Sequence, residues 1–248
     1  MERYVHDSYT HNHASPNEIV RIIGNSLNPE SIVDVGCGIG TFLNEFKKQG
    51  VKRVLGIDGP WANKELVALN LEKDEFLERN LEEPIMLNQK FDLAICVEVA
   101  EHLDARYSDI LINSLVGLSN IVLFSAAIPY QEGQNHVNEQ WINYWVKKFD
   151  EHGYRSFDLL RPICWDNEKI QWWYRQNMFL VINKNTPLPA GFFTGNEVPG
   201  INSYVHPDLY LKKTKQLNDI LSGEQNFRFY IKLIVKKLIR LLRPDKKS

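Results

Sequence analysis

Residues 32–41 read IVDVGCGIGT and carry the strongest indication of the fold in this sequence. The β-branched apolar residues at its start are typical of a buried strand. Three glycines follow at alternate positions, and apolar residues at helical spacing come directly after them. The stretch therefore predicts a strand, a glycine-rich turn and a helix, an arrangement that lets a ligand approach main-chain N–H groups.

The spacing of the glycines narrows the choice of ligand. Gly36, Gly38 and Gly40 form G-x-G-x-G, whereas the dinucleotide-binding turn has G-x-G-x-x-G. No Lys-Ser or Lys-Thr pair follows, which excludes a phosphate-binding P-loop. Glycine turns of this kind also occur in other doubly wound sheets, so the turn alone leaves those folds open.

Further strand ends carry side chains suited to a nucleoside. Residues 55–58 read LGID, a second strand that ends in the carboxylate of Asp58, and an acid there can accept hydrogen bonds from both ribose hydroxyls. Asn80 and Leu81 follow a third short strand, where they can hold an adenine ring. Residues 91–97 read FDLAICV and predict a fourth strand.

Strand and helix patterns alternate along most of the chain. Residues 15–18 read SPNE, a capping box that predicts the start of the first helix. Residues 121–126 predict a fifth strand, and residues 154–160 and 178–182 predict a hairpin at the edge of the sheet. We therefore predict an α/β fold, a Rossmann-like, seven-stranded, mostly parallel sheet with helices on both faces. Ligands bind such sheets at the carboxyl ends of the strands.

The order of these motifs, over residues 28–182, resembles that of class I S-adenosylmethionine-dependent methyltransferases. The resemblance implies that the glycine turn cradles the methionine part of the cofactor, that Asp34 lies near its amino group and that Asp58 holds the ribose. Many members have Asp where Asn80 stands, and the carbonyl oxygen of Asn80 can serve instead. The complete set of expected cofactor-binding residues is Asp34, Gly36, Cys37, Gly38, Gly40, Asp58, Asn80, Leu81 and Val97.

Methyl transfer to an oxygen usually needs a base that takes the proton of the acceptor. One cluster of titratable residues follows the fourth strand, where we expect it to shape the acceptor side, and it consists of Glu98, Glu101 and His102. A second cluster follows the fifth strand around His136, and histidine is the side chain that most often acts as a general base. We predict His136 as the general base, with Asn138 or Glu139 orienting it or the substrate.

Residues 128–145 resemble a group of methyltransferases found in bacterial surface-glycan and natural-product gene clusters. The resemblance implies that the acceptor is a hydroxyl of a saccharide or of a similar small polar molecule. Sugar rings stack on the faces of Trp and Tyr, and Trp141 and Trp145 lie in this stretch. Because the two tryptophans are four residues apart on a predicted helix, they fit the protein core equally well.

The same titratable residues have an alternative interpretation as metal ligands. The E-x-x-E-H spacing with a later histidine resembles the metal site of small-RNA 3′-terminal ribose methyltransferases, which implies as ligands Glu98, Glu101, His102 and His136. The spacing is also common in methyltransferases that use no metal. An acidic protein body argues against an RNA partner, and we expect a metal-free site.

Composition and charge limit the function classes. The chain has 248 residues, of which 44% are hydrophobic, enough for one α/β domain and an appendage. Its three cysteines are widely spaced, and it has neither an apolar leader nor a membrane-spanning run, so we expect a cytoplasmic location. The net charge is −2, yet residues 226–248 hold eight lysines and arginines against one acid. The rest of the chain is therefore acidic, which argues against a nucleic-acid partner.

We predict a methyltransferase domain over residues 1–182, with a lid-like segment at 1–14, an extension over 183–225 and a basic amphipathic helix over 226–248. From residue 227 to 242, apolar residues share one face and basic residues the opposite one. Such a helix can lie on the anionic inner face of a membrane or dock on a partner protein. A third interpretation is therefore a non-catalytic cofactor-binding module that its C-terminal helix anchors.

Overall fold

The computed structural model of the protein describes residues 12–188 and 201–242. Residues 1–11 of the predicted lid, 189–200 of the predicted extension and 243–248 of the tail lie outside the described residues. The chain divides into two compact units, and each is described by itself.

The first unit ends at Tyr204 and is built around one sheet. Its strands are β1 (Ser31–Val35), β2 (Arg53–Asp58), β3 (Phe76–Glu78), β4 (Leu93–Val97), β5 (Ile121–Ser125), β6 (Tyr154–Phe157) and β7 (Phe179–Asn183). Its described helices are α1 (Ala14–Leu27), α2 (Thr41–Lys48), α3 (Lys64–Val67), α4 (Ser108–Leu118), α5 (Ile142–Glu151), α6 (Leu160–Cys164) and α7 (Trp172–Asn177).

The strands lie in the order β3-β2-β1-β4-β5-β7-β6. The first five of these are parallel, and β7 pairs antiparallel with both β5 and β6. The predicted seven-stranded, mostly parallel sheet is thus confirmed. The order reverses between β1 and β4, which is where ligands bind in open α/β sheets. Because β7 is antiparallel, Phe179 at its start pairs with Phe124 near the carboxyl end of β5.

Two hydrophobic cores cover the two faces of the sheet. Successive side chains of a strand point to opposite faces, so Val33 and Val35 enter one core and Ile32 enters the other. The first core packs against α4 and α5, and includes the fully buried Trp145. The second packs against α1 and α2, and includes Phe46. The strands are buried on both faces, which explains their continuous apolar runs.

The capping box predicted at Ser15 is wrong. Helix α1 begins at Ala14, and no side chain caps it. The Ser15 hydroxyl instead accepts a hydrogen bond from the N–H of Gln171 (2.9 Å), and Glu18 accepts one from the side chain of Asn167 (3.2 Å). Both side chains serve a tertiary contact with the segment before α7, and this contact overrides the local signal.

The second unit begins at Val205 and contains α8 (Pro207–Leu221) and α9 (Phe227–Leu242). The Tyr230 hydroxyl donates to the carbonyl oxygen of Ile220 (2.9 Å), which ties the start of α9 to the end of α8. The bounds of α9 confirm the helix predicted from the apolar period. Within the described ranges, every helix is too short or too polar to span a bilayer.

Candidate active site

The glycine turn lies at the carboxyl end of β1 and leads into α2. The φ angles of Gly36, Gly38 and Gly40 are 81°, 57° and 81°, in the left-handed region that favours glycine. A Cβ on Gly40 would lie 2.7 Å from Cγ of Leu71, and one on Gly36 would overlap the side chain of Val99. The backbone conformation and the lack of space both require glycine in this turn.

The carboxylate of Asp58 closes the other side of the turn. It accepts hydrogen bonds from the N–H of Gly38 (2.7 Å) and from the N–H of Gly59 (2.6 Å). Burial raises the pKa of Asp58 to about 6, although these two N–H groups and Trp61 favour the ionised form. The ring of Trp61 packs so closely over Gly59 that an added Cβ would overlap it. An acid at the end of β2 and an indole ring are therefore held beside the glycine turn.

Two further residues expected to bind the cofactor are buried near the turn. Asp34 lies in β1 and is 2% exposed. Burial, and in second place the charge of Asp58, raise the pKa of Asp34 well above its usual range. Cys37 is a buried free thiol inside the turn, and burial likewise raises its pKa. A cation bound next to Asp34 would favour the ionised form of this carboxyl.

Asn80 follows β3 at the same edge of the sheet as Asp58. The N–H of Arg79 donates to the backbone carbonyl oxygen of Asp58 (2.8 Å), which places Asn80 beside the end of β2. The side-chain oxygen of Asn80 accepts the N–H of Glu82 (3.1 Å) and keeps a second lone pair. The remaining residues expected to bind the cofactor are buried and apolar, and they are Leu81 and Val97.

Glu139 orients His136 in the loop between β5 and α5. Nδ1 of His136 lies 2.9 Å from Oε1 of Glu139, and because a carboxylate only accepts, Nδ1 carries the proton. The same carboxylate accepts the N–H groups of Tyr130 and Glu132, at 2.7 Å each. Nε2 of His136 lies over Gly133, where a Cβ would overlap it. Glu139 thus fixes both the loop and the tautomer that leaves Nε2 able to take a proton.

Asn138 attaches this loop to the turn after β4 and does not orient the histidine. The N–H groups of Val137 and Asn138 donate to the backbone carbonyl oxygen of Glu101, at 2.9 and 3.0 Å. The buried side chain of Asn138 reaches the carbonyl oxygen of Ala100 (3.3 Å). Asn138 therefore fastens the loop to the turn after β4, while Glu139 contacts the histidine.

The turn after β4 brings a buried acid next to two imidazoles. Glu101 is fully buried, and within the described ranges neither of its carboxylate oxygens has a hydrogen bond of normal geometry. Burial, and in second place the charge of Glu98, raise the pKa of Glu101 well above its usual range. The rings of His102 and His136 lie 4.9 Å apart, edge to face. Single ligand atoms of Glu101, His102 and His136 all lie within 4.8 Å of one another, close enough to share a cation.

Glu98 is a close neighbour of Glu101 but is not one of the three grouped ligand residues, and it is held by side chains that the sequence did not single out. Asn177 donates to its Oε1 (3.0 Å) and Gln131 to its Oε2 (3.1 Å), while Gln176 donates to the side-chain oxygen of Gln131 (3.1 Å). Burial raises the pKa of Glu98, against the hydrogen bonds from these amides. No motif marks the three amides. What locates these amides is the antiparallel direction of β7, because it brings the start of β7 to the carboxyl end of β5.

Comparison with known proteins shows the family. Residues 9–172 match the family model described as "Methyltransferase domain". The sequence matches no protein of curated function at a significant level. Similar solved structures include the sugar N-methyltransferase KedS8 from Streptoalloteichus sp ATCC 53650, with 13% identity and a TM-score of 0.54 over 74% of this chain and 94% of that chain.

Two other similar structures have the same fold. Magnesium protoporphyrin IX methyltransferase from Synechocystis PCC 6803 is 15% identical, with a TM-score of 0.52 over 69% of this chain and 83% of that chain. An O-methyltransferase family protein from Burkholderia thailandensis is 14% identical, with a TM-score of 0.50 over 67% of this chain and 55% of that longer chain. With its glycine turn and the acid at the end of β2, the chain belongs to the methyltransferase domain family and is a class I S-adenosylmethionine-dependent methyltransferase.

Proposed function

We propose that the protein transfers the methyl group of S-adenosylmethionine to a hydroxyl of a saccharide or of another small polar metabolite. The acceptor oxygen attacks the methyl carbon in line, the carbon–sulfur bond breaks and S-adenosylhomocysteine leaves. Nε2 of His136 takes the hydroxyl proton. The observation that carries the proposal is the 2.9 Å hydrogen bond between Nδ1 of His136 and Glu139, since it leaves Nε2 as the proton acceptor.

Different residues around the glycine turn bind different parts of the cofactor. Backbone N–H groups of the turn face the methionine part, and Asp34 receives its ammonium group, which favours the ionised form of that acid. Asp58 accepts the ribose hydroxyls. The free lone pair on the side-chain oxygen of Asn80 accepts a hydrogen bond from the adenine amino group. Val97, which is buried at the end of β4, supplies an apolar contact to the cofactor.

Exposed aromatic side chains support a saccharide as acceptor. Tyr130 and Trp141 belong to the segment that carries His136, and they are 81% and 44% exposed. Their rings offer apolar faces with a polar edge, on which a sugar ring can stack. Trp145 is 1% exposed and belongs to the core, so the two tryptophans have different roles. The sugar N-methyltransferase among the similar structures is compatible with an acceptor of this class.

The test is transfer of a labelled methyl group to a panel of nucleotide sugars and free saccharides, with the methylated atom located by mass spectrometry. His136→Gln should lower kcat about 100-fold, because a positioned general base contributes at least that factor. The affinity for S-adenosylmethionine should not change. His152→Gln, at the end of α5, is the matched control. Full activity of the His136→Gln protein would refute the assignment of the base.

A second candidate function is metal-dependent methyl transfer to the terminal ribose of an RNA. The observation that favours it is the short distance between the ligand atoms of Glu101, His102 and His136. A buried carboxylate and two imidazoles suit a borderline divalent ion such as Zn²⁺ or Mn²⁺. When bound, such an ion acts as a Lewis acid towards a hydroxyl. The amides around Glu98 leave it less suited to be the fourth ligand.

Metal analysis of the purified full chain separates the two candidates. A stoichiometric divalent ion that is lost in His102→Ala supports the metal-dependent reaction. A metal-free protein that methylates a saccharide supports His136 as the base. Cofactor binding without turnover on any acceptor would instead support a non-catalytic module.

We further propose that α9 lies on the anionic inner face of a membrane. Phe227, Ile234 and Leu238 share one face of the helix and are 78%, 59% and 53% exposed. Lys232 and Lys236 lie on the opposite face, and α9 contains no acidic residue. Buried apolar area and attraction to anionic lipid together bind such a helix to an interface.

Sedimentation with phosphatidylcholine vesicles that contain or lack phosphatidylserine tests this surface. The full chain should sediment with the anionic vesicles only. The double variant Lys232→Glu/Lys236→Glu should stay in solution, whereas Lys212→Glu/Lys215→Glu, the same change on α8, should still sediment. Binding that is independent of phosphatidylserine would contradict the proposal. A dimer that the α9 variant dissociates, without any vesicle binding, would assign the face to a second copy of the chain.

A further inference from the structure

Glu98 has a backbone conformation that is uncommon for a residue with a side chain. Its φ is 54°, in the left-handed region, directly after β4. Its N–H donates to the carbonyl oxygen and to the hydroxyl of Ser125, both at 3.1 Å, and these bonds hold the conformation. Because Gly or Asn adopts this region more readily, an acid at this position indicates that its carboxylate has a functional role.

Three buried amides hold that carboxylate in one orientation. Nδ2 of Asn177 bridges Oε1 of Glu98 (3.0 Å) and the side-chain oxygen of Gln131 (2.9 Å). Nε2 of Gln131 donates to Oε2 of Glu98 (3.1 Å). Nε2 of Gln176 bridges the side-chain oxygens of Gln131 (3.1 Å) and Asn177 (3.0 Å). Each bond fixes the direction of the next, so the carboxylate has little freedom to turn.

The burial of the cluster shows which of its members a ligand can reach. Gln131 is 3% exposed, and Gln176 and Asn177 are fully buried. Glu98 is only partly buried. A carboxylate has about four lone-pair sites, and the two amides occupy one on each oxygen. The Ser125 hydroxyl and the Glu101 carboxyl also interact with this carboxylate. Glu98 is therefore the point at which this cluster can accept a hydrogen bond from a bound molecule.

The carboxylate lies near the group that we assign as the base. One loop joins the two side chains. Glu139 accepts hydrogen bonds from Nδ1 of His136 (2.9 Å) and from the N–H of Tyr130 (2.7 Å), and the next residue, Gln131, donates to Oε2 of Glu98. Both are acceptors towards a substrate, one through Nε2 and the other through a carboxylate oxygen. Two neighbouring acceptors at the carboxyl ends of β4 and β5 match a molecule that carries two neighbouring donors.

We propose that Gln131, Gln176 and Asn177 position Glu98 to bind a second donor group of the acceptor, next to the hydroxyl that is methylated. The site then selects a vicinal diol, the arrangement found around a sugar ring, over a molecule with one hydroxyl. This inference rests on the proposed function and specifies its substrate. The three amides are positioning residues, because they act on the substrate through Glu98.

Binding of two small probes to the full chain, saturated with S-adenosylhomocysteine, tests the proposal. The probes are cis-1,2-cyclohexanediol and cyclohexanol, which share the six-membered ring and differ by one hydroxyl. NMR titration should give an affinity for the diol that is about tenfold higher, as expected for one additional hydrogen bond to a charged group. Glu98→Gln should bring the ratio of the two affinities close to one.

Gln131→Glu tests the positioning, because it replaces the donor that faces Oε2 of Glu98 with a repelling oxygen. It should abolish the preference as well, and Gln89→Glu, the same change at an exposed position, should preserve it. The affinity of each variant for S-adenosylhomocysteine should be unchanged. A general loss of structure would lower this affinity, so the measurement shows that the variants are folded.

Three results would overturn the inference. Wild-type protein that binds the diol no better than cyclohexanol, or binds neither, removes the diol site. A preference that survives in Glu98→Gln excludes Glu98 as its source. A preference lost in Glu98→Gln but kept in Gln131→Glu removes the positioning role of the amides. Failure of the proposed function is distinct, because it appears as absent cofactor binding or as full activity of His136→Gln.

Discussion

Lowering the pH below 6 should weaken the binding of S-adenosylmethionine, because Asp58 must be ionised to accept both ribose hydroxyls. Burial raises the pKa of this carboxyl to about 6 in the free protein. A protonated carboxyl is itself a donor and offers fewer acceptor sites. Cofactor binding favours the ionised form, so the contribution of Asp58 to the affinity should rise with pH up to about 6 and then level off.

The magnitude follows from the titration of this one carboxyl. At pH 5, with a pKa of about 6, roughly one molecule in ten carries the ionised form. If only that form binds well, the affinity at pH 5 is about tenfold lower than at neutral pH, which corresponds to about 1.4 kcal/mol. Each further pH unit downward adds about the same factor.

The assay is calorimetric titration of the cofactor into the full chain between pH 5 and pH 7.5. Asp58→Asn keeps the shape of the side chain and removes its titration. We expect this variant to bind at least about tenfold more weakly at pH 7.5. Its affinity should fall less between pH 7.5 and pH 5 than that of the wild type, because the contribution of Asp58 to the pH dependence is removed. A wild-type affinity that stays constant from pH 5 to 7.5, or an equal slope in Asp58→Asn, would refute the role of Asp58.

Two substitutions test other parts of the account. Gly133→Ala places a Cβ against Nε2 of His136 and should lower kcat about 100-fold without changing cofactor affinity. The control is Gly117→Ala on α4, where a Cβ meets nothing within 4 Å, and it should leave kcat unchanged. A wild-type kcat for Gly133→Ala in steady-state kinetics would contradict the geometry. Arg161→Leu leaves the buried Asp158 carboxylate without its two charged hydrogen bonds of 2.7 and 2.6 Å. The substitution should lower the free energy of unfolding, measured by urea denaturation, by about 3 to 5 kcal/mol. A loss under about 1 kcal/mol would show that the buried pair contributes little to stability.

Sequence patterns predicted the features that depend on neighbouring residues. The period of apolar residues gave the bounds of α9, from Phe227 to Leu242. The glycine spacing gave the turn after β1, because the left-handed φ angles there need glycine. The order of the strand signals gave the parallel sheet and, with it, the edge at which Asp58 and Glu98 lie. These features follow from local chemistry and from a topology with few alternatives.

The features that sequence reasoning missed depend on contacts between distant segments. Gln131 and Asn177 lie far apart in the chain, and they meet at Glu98 only because β7 is inserted beside β5 in the opposite direction. The capping signal at Ser15 failed for a related reason, since its hydroxyl bonds to a segment more than a hundred residues away. Trp141 and Trp145 were equivalent by spacing, and only the packing against β5 distinguishes them.

The role of His136 as the base is tested by the rate of methyl transfer to a saccharide, measured for wild-type and His136→Gln protein that have both been dialysed against a chelator. We predict that the chelated wild-type protein keeps its full rate. The variant should lose about 100-fold in kcat while it binds S-adenosylmethionine with unchanged affinity. A wild-type rate that chelation abolishes and a divalent ion restores, or a variant as fast as wild type, would contradict the claim that His136 acts as the base.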